Sequence, residues 1–235
     1  MKQDDIAAIR NLSLFRLMRE DTFLALIEAG FLQRFPPGVV LIEERDRADF
    51  LHIVVEGQVE MFATTAGRET TTDLLRPVDT FILAAVLSDQ VYLQSARTLE
   101  ASRILMIPAE KVRATMAADP AFMRAISVEL ARAYRTAVRD LKNLKLRTGA
   151  ERLANWLLRT NAEQGNRNRV EIAFEKRTLA SRLGMTPENL SRAFAALRPY
   201  GVKVKGPEVD LTQPQALAEF AKPDPMIDGC EENLS

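Results

Sequence analysis

The sequence predicts an α+β protein: a many-stranded antiparallel β-module, one long helix, then a helix-turn-helix with a two-stranded wing. Three observations carry that expectation. Short runs rich in Val, Ile, Thr and Phe fill residues 31–108, an apolar period of three or four residues runs from Met123 to Leu144, and Thr178–Phe194 has the grammar of a helix-turn-helix. The 235 residues, 47% hydrophobic and 27% charged, are enough for one large or two small globular domains and exclude a fully disordered chain.

The first thirty residues read as helix, with Phe15, Leu17, Phe23, Leu24, Leu26 and Ile27 supplying apolar contacts. From Phe31 the texture changes. Val39–Ile42, Leu51–Val55, Val59–Thr65, Thr70–Leu74 and Arg103–Ile107 are strand-like runs, punctuated by Pro36-Pro37-Gly38, Gly57, Gly67 and Arg76-Pro77. Short strands at even spacing predict an antiparallel sandwich or barrel. After Pro108 the period becomes helical. Met123, Ile126, Leu130, Ala133, Ala137, Leu141 and Leu144 form a heptad-like seam with one stutter, on a helix from Pro120 to Leu146. Such a helix is about 40 Å long, too long for a small β-module to cover. The seam therefore predicts a parallel homodimer; the alternative is a helix lying on its own domain's core.

In the helix-turn-helix, Leu179, Leu183, Leu190 and Phe194 are spaced to fill the core between two helices. Ala180 allows a close crossing and Gly184 supplies the turn. Thr186 is a good N-cap and Pro187 a favoured first residue for the second helix. Glu188, Ser191 and Arg192 then share one face near its start, beside Asn189. Arginine donates two hydrogen bonds to guanine, and a carboxylate accepts from cytosine. The competing roles are an acid favouring the helix dipole and a solvated arginine. Val202–Leu211 reads as the wing, with Lys203 available to phosphate. Between Lys145 and Gly206 stand thirteen Lys/Arg against five acids, roughly +8 inside a neutral chain.

Much is excluded by count. One cysteine, Cys230, allows no intrachain disulfide, iron–sulfur cluster or Cys-rich zinc site, and one histidine, His52, removes most metal and Ser-His-Asp schemes. No Gly-rich phosphate loop, paired carboxylates or nucleophile with a base is visible, so an enzyme is not expected. No apolar run is long enough to span a bilayer or resembles a secretory leader, which predicts a cytoplasmic protein without a membrane partner.

The order of parts resembles the CRP/FNR superfamily of bacterial transcription regulators. Gly38 with Leu51–Val59 is similar to its glycine-punctuated β-roll, and Met185-Thr186-Pro187-Glu188-Asn189-Leu190-Ser191-Arg192 to the FNR-type recognition helix. The resemblance implies an N-terminal, cyclic-nucleotide-binding-like β-roll effector domain over residues 1–119 and a dimerisation helix over 120–146. A winged helix-turn-helix over 147–221 and a flexible, solvated acidic tail over 222–235 complete the division. It implies double-stranded DNA, a second copy of the chain, RNA polymerase and a small effector as partners. Glu188, Ser191 and Arg192 become readers of a TTGA half-site, with Thr186, Asn189 and Lys203 as further DNA-binding residues. The departures matter as much. Where cyclic-nucleotide members carry a Gly-Glu pair and a later Arg-Ser/Thr pair, this chain has Phe81-Ile82-Leu83 and Gln94-Ser95-Ala96. Cyclic AMP and GMP are thus not expected, because a bidentate charged contact to phosphate is missing. Three readings of the apolar stretch from Phe81 to Leu87 stay open. It lines a pocket for an apolar or aromatic effector with Phe81 and Leu83 as wall and Gln94, Ser95 and Arg97 as anchors, Arg97 taking a carboxylate. It holds haem through His52 in a gas sensor. Or it is plain core.

Overall fold

The computed structural model describes residues 3–229. Helices α1 (Gln3–Arg10) and α2 (Glu20–Glu28) open the chain. Ile9, Phe15, Phe23, Leu26 and Ile27 are buried as their apolar spacing requires, but Leu17 and Leu24 face solvent. Then come strands β1 (Phe31–Phe35), β2 (Val40–Ile42), β3 (Phe50–Glu56), β4 (Val59–Thr65), β5 (Arg68–Leu75) and β6 (Thr80–Phe81), followed by the short helix α3 (Leu83–Ser88). Strands β7 (Ser95–Thr98) and β8 (Ser102–Pro108) end the β-rich region, and α4 (Ala109–Ala118) leads into the long helix α5 (Pro120–Leu146).

Two four-stranded antiparallel sheets, ordered β1-β8-β3-β6 and β2-β7-β4-β5, enclose one core. Leu51, Ile53 and Val54 of β3 and Ile104, Leu105 and Ile107 of β8 fill it from one side, with Val59, Met61 and Ala96 opposite. Gly57 makes the β3–β4 turn at φ +90, and a side chain there would strike Ser102. Burying these aliphatics contributes on the order of 2 kcal/mol each. One buried carboxylate ties the starts of two of these helices together. Asp119 Oδ1 accepts from the amides of Ala121 and Phe122 at the start of α5, and Oδ2 accepts from the Arg19 amide and the Thr22 hydroxyl at the start of α2.

The second half of the chain continues through α6 (Gly149–Glu163), β9 (Arg169–Glu171), α7 (Lys176–Arg182), α8 (Pro187–Leu197), β10 (Val202–Lys205), β11 (Glu208–Leu211), α9 (Pro214–Ala221) and α10 (Pro225–Asp228). The wing holds one strand more than expected, in the order β10-β11-β9. Leu153, Leu157, Leu179, Leu190, Leu197, Val209 and Leu217 form its separate core. The chain divides into two compact units between Ala133 and Tyr134, inside α5.

Two expectations change. The acidic tail is not free up to Gly229: Asp224 caps α10, and Arg147 clasps Asp228 through both guanidinium nitrogens at 2.7 and 2.5 Å. Cys230 and the rest of the tail lie outside the described residues. The heptad seam is also divided. Of its members Ile126 is buried and Leu130 packs against the β-roll core, whereas Met123, Ala133, Ala137, Leu141 and Leu144 are exposed; beside the seam Phe122 is buried, and Tyr134 and Val138 are exposed.

Candidate functional site

Helices α7 and α8 cross where the sequence places the motif. Leu179, Ala180, Leu183, Leu190 and Phe194 are buried, and Gly184 turns the chain at φ +63. Arg152 braces that turn from α6, donating to the carbonyls of Leu183 and Gly184 at 2.8 and 3.3 Å and to that of Arg147 at 2.7 Å. Burial lowers its pKa. The Thr186 side chain accepts from the Asn189 amide at 3.3 Å, and Pro187 opens α8. Beyond the cap, Glu188, Asn189, Ser191 and Arg192 are all exposed. The Thr186 hydroxyl, then the local backbone amide and Arg192, hold the Glu188 carboxyl below its ordinary value, so it is ionised at neutral pH. The Ser191 hydroxyl donates to the Pro187 carbonyl at 3.0 Å, leaving its oxygen free to accept.

The basic excess is smaller at the surface than in the sequence. Arg147 is nearly buried against Asp228, and Arg152 is spent on carbonyls. Arg182 meets Asp140, while Arg169 and Lys205 share Asp210. Lys203 stands exposed on the wing.

A second site lies in the β-roll, a cavity of about 310 Å³. Met61, Asp73 and Leu75 line it from β4 and β5, and Thr80 and Phe81 from β6. Ile82, Leu83, Ala84 and Ala85 follow, with Leu93, Gln94 and, from α5, Glu129, Leu130 and Ala133. Ile82 sits in the left-handed region at φ 68, unusual for a β-branched residue. Gln94 Oε1 accepts from the Thr72 hydroxyl, and the Thr80 hydroxyl donates to Glu129 at 3.4 Å.

Two family descriptions match the chain, "Cyclic nucleotide-binding domain" over residues 32–119 and "Crp-like helix-turn-helix domain" over residues 151–220. The chain belongs to the CRP/FNR superfamily. It is 24% identical over 194 residues to a CRP-like cAMP-activated global transcriptional regulator of Mycobacterium tuberculosis, covering 80% of this chain and 87% of the relative. It is 23% identical over 190 residues to the transcriptional activator FnrA of Stutzerimonas stutzeri, covering 78% of each. Among solved structures, a regulatory protein of Silicibacter pomeroyi DSS-3 shares 28% identity at a TM-score of 0.59, over 94% of this chain and 100% of the other. FixK2 of Bradyrhizobium japonicum shares the fold at a TM-score of 0.69 and 20% identity, over 81% and 96% of the two chains. As a CRP/FNR protein, the chain is a DNA-binding transcription regulator. No helix among its described residues is long and apolar enough to cross a membrane.

Within this CRP/FNR chain the five residues named for the effector pocket part company. Phe81, Leu83 and Gln94 line the cavity; Ser95 and Arg97 do not. The Ser95 hydroxyl accepts from the Glu44 amide at 2.9 Å. Arg97 is held between Glu60 and Glu69, with Nε 2.7 Å from the first and a bidentate fork at 2.7 and 3.1 Å on the second, and it lies over the Phe62 ring. Glu60 is 2% exposed and also takes the Thr71 hydroxyl at 2.5 Å. Arg97 is therefore a partner for buried acid, not an anchor for a carboxylate ligand. His52, named for haem, lies apart from the cavity lining. It sits mid-strand in β3, stacked on Phe81 at 5.0 Å. Burial pushes its pKa down to about 4 against a backbone contact at Phe50, which makes it a neutral core ring. Asp73, Thr80 and Glu129 went unread as cavity residues because they come from separate elements with no shared motif.

Proposed function

We propose that this regulator is a homodimer that reads an FNR-type palindrome and responds to a small, non-nucleotide effector in the β-roll cavity. One observation carries the DNA reading. The first turn of α8, capped by Thr186, exposes an ionised Glu188 with Asn189, Ser191 and Arg192 at its N-terminal end. That is the end a recognition helix directs at base edges in the major groove. Lys203 on the wing would hold phosphate. Tyr134, Val138 and Leu141 supply an uncovered apolar face on α5 for a second copy, which sets two recognition helices against two half-sites. The mycobacterial relative is named for activation by cAMP. Among the described residues no basic side chain lines the cavity, and Arg97 is engaged by two carboxylates. An effector there would touch Glu129, Leu130 and Ala133 of α5 and so bias the helix between two arrangements.

The test is fluorescence anisotropy with a TTGAT/ATCAA palindrome and a scrambled duplex at two salt concentrations. The palindrome should bind at least about a thousandfold tighter, and both affinities should fall steeply with salt. Arg192→Ala should cost about 1–3 kcal/mol per half-site and leave scrambled-duplex binding nearly unchanged. Equal affinity for both duplexes, indifferent to Arg192→Ala, would exclude α8 as the base reader.

A further inference from the structure

We infer that the Arg147–Asp228 pair is a positioning clasp: it fixes the turn between α5 and α6 and thereby sets the half-site separation that the dimer accepts. This rests on the palindrome reading above and adds the residues that tune it. Arg147 and Thr148 alone lie between the end of α5 and the start of α6. Each brings a soft φ and ψ, so the direction in which α6 leaves α5 depends on what holds this turn. The Thr148–Glu151 capping box fixes the start of α6. Arg147 fixes the rest.

Its Nη1 donates to Asn143 Oδ1 in the last turn of α5 at 3.2 Å. The same guanidinium forks onto both carboxylate oxygens of Asp228 in α10, at 2.7 and 2.5 Å. Its carbonyl accepts from Arg152 of α6, whose other nitrogens reach the Leu183 and Gly184 carbonyls. Asp228 is itself held in place. Its Oδ2 accepts from the Asp224 amide at 2.8 Å, and Asn155 of α6 donates to the Ala221 carbonyl at the end of α9 at 2.8 Å. The Arg147 side chain is 7% exposed and that of Asp228 23%, so water screens the fork little. A bidentate guanidinium–carboxylate contact fixes orientation as well as distance. Burial pushes the Asp228 carboxyl up, and the Arg147 fork and the Asp224 amide outweigh it, so it is ionised at neutral pH.

The clasped turn links the contact between copies to the reading helix. The exposed face of Tyr134, Val138 and Leu141 and the whole helix-turn-helix belong to one compact unit. Within it Leu144 abuts Gly184 so closely that a Cβ on that glycine would lie 2.5 Å from Leu144 Cδ2. Arg182 meets Asp140 of α5 at 3.4 Å, and α8 begins at Pro187, just past the turn. Two such units paired through α5 carry their α8 helices at a fixed separation. Moving a half-site by one base pair shifts it about 3.4 Å and about a tenth of a turn around the duplex. A stiff junction rejects that step, and a loose one follows it. Arg147 is too buried to meet a base, so its part is positioning.

The experiment is fluorescence anisotropy on the full-length protein with TTGAT/ATCAA duplexes whose half-sites are moved apart one base pair at a time. A duplex at the preferred separation with one mismatched half-site, and a scrambled duplex, complete the set. Wild type should lose at least about tenfold in affinity for each step away from its preferred separation. Asp228→Asn and Arg147→Gln should flatten that loss to about threefold and leave the penalty for the mismatched half-site unchanged. Asp228→Glu, which keeps the charge, should restore most of the spacing preference. Circular dichroism at the binding temperature confirms that each variant is folded. An equal loss of affinity at every separation, with the wild-type preference retained, would reduce the clasp to a structural contact and overturn the inference. A wild type indifferent to separation would overturn it too. Loss of the mismatch penalty together with the spacing preference would place the defect in α8 itself, with the same consequence. Wild-type affinity for the scrambled duplex equal to that for every palindrome would remove the DNA reading and this inference with it.

Discussion

The two halves of helix α5 carry the same apolar period and meet opposite surroundings. Up to Leu130 the face that carries Phe122, Ile126 and Leu130 is covered by its own chain: Phe122 is 0% exposed and Ile126 1%, packed on the β-roll core beside Ala125 and Leu130, while Met123 to one side of it is 45% exposed. Beyond Ala131, Tyr134 is 72% exposed and Leu141 52%, with Val138 between them. Steps of four and three keep these residues on the same helix face. A periodic apolar stripe therefore shows that a face will be covered and leaves open by what. In the first half the cover is intramolecular. In the second it is missing from the single chain, which is why the second half, and not the whole seam, supports the dimer proposed above.

The largest effect expected from this contrast is at Ile126. Ile126→Ala removes a fully buried side chain from a packed core and should destabilise the β-roll unit by about 2–5 kcal/mol, read as a lower midpoint in urea. A loss no greater than that of an exposed residue would show that the first half is not held by the core, and the contrast would collapse.

Asp119 provides the next test, because it fastens only the buried half. Burial alone would push its carboxyl up; the Thr22 hydroxyl and the amides of Arg19, Phe122 and Ala121 outweigh it and hold the pKa at about 2. A carboxyl depressed in the folded state stabilises above its ordinary value of 3.8 and loses that contribution as the pH falls through about 2. His52 acts earlier. Its folded pKa of about 4 against 6.5 means that the unfolded chain takes up the proton first, so stability declines as the pH drops from 6.5 toward 4. Wild type should thus lose stability in two acid stages. Asp119→Ala should lower stability at neutral pH by about 3 kcal/mol, since several donors lose a charged acceptor, and should shrink the lower stage, which Asp228 and Glu151 share. A lower stage of undiminished size in the variant would assign it to the other carboxyls.

The sequence made some of this legible and hid the rest for physical reasons. The helix-turn-helix could be read because its determinants are local: Ala180, Gly184, Thr186 and Pro187 act within one short stretch, and each fixes a backbone feature. Strands β3, β4, β5 and β8 announced themselves as apolar or β-branched runs. Strand β7 did not, because its inward residues are Ala96 and Thr98, too small and too polar to stand out. The role of Arg97 was beyond reach for a different reason. Its partners Glu60 and Glu69 lie 37 and 28 residues away, on strand β4 and its hairpin mate β5. The cavity divides in the same way: Phe81 and Leu83 were visible as a stretch, whereas Asp73 and Glu129 come to line one cavity only after folding.

Leu141 is where the smallest effect on the single chain tests the contrast most sharply. It lies in the uncovered half and is more than half exposed, so Leu141→Glu should change the unfolding free energy of an isolated protomer by no more than about 0.5 kcal/mol. The same substitution places a charge in the middle of the proposed helix–helix contact, next to Val138 and close to Tyr134 on one face. Association should therefore fail while the fold survives. Sedimentation at micromolar concentration should show the mass halved, and affinity for the palindrome should drop toward that for the scrambled duplex, because two half-sites are no longer read together. A Leu141→Glu protein that remained dimeric would mean that the apolar stripe beyond Ala131 is not the contact between copies. One that unfolded as readily as Ile126→Ala would mean that this half of the helix is, after all, held by its own chain.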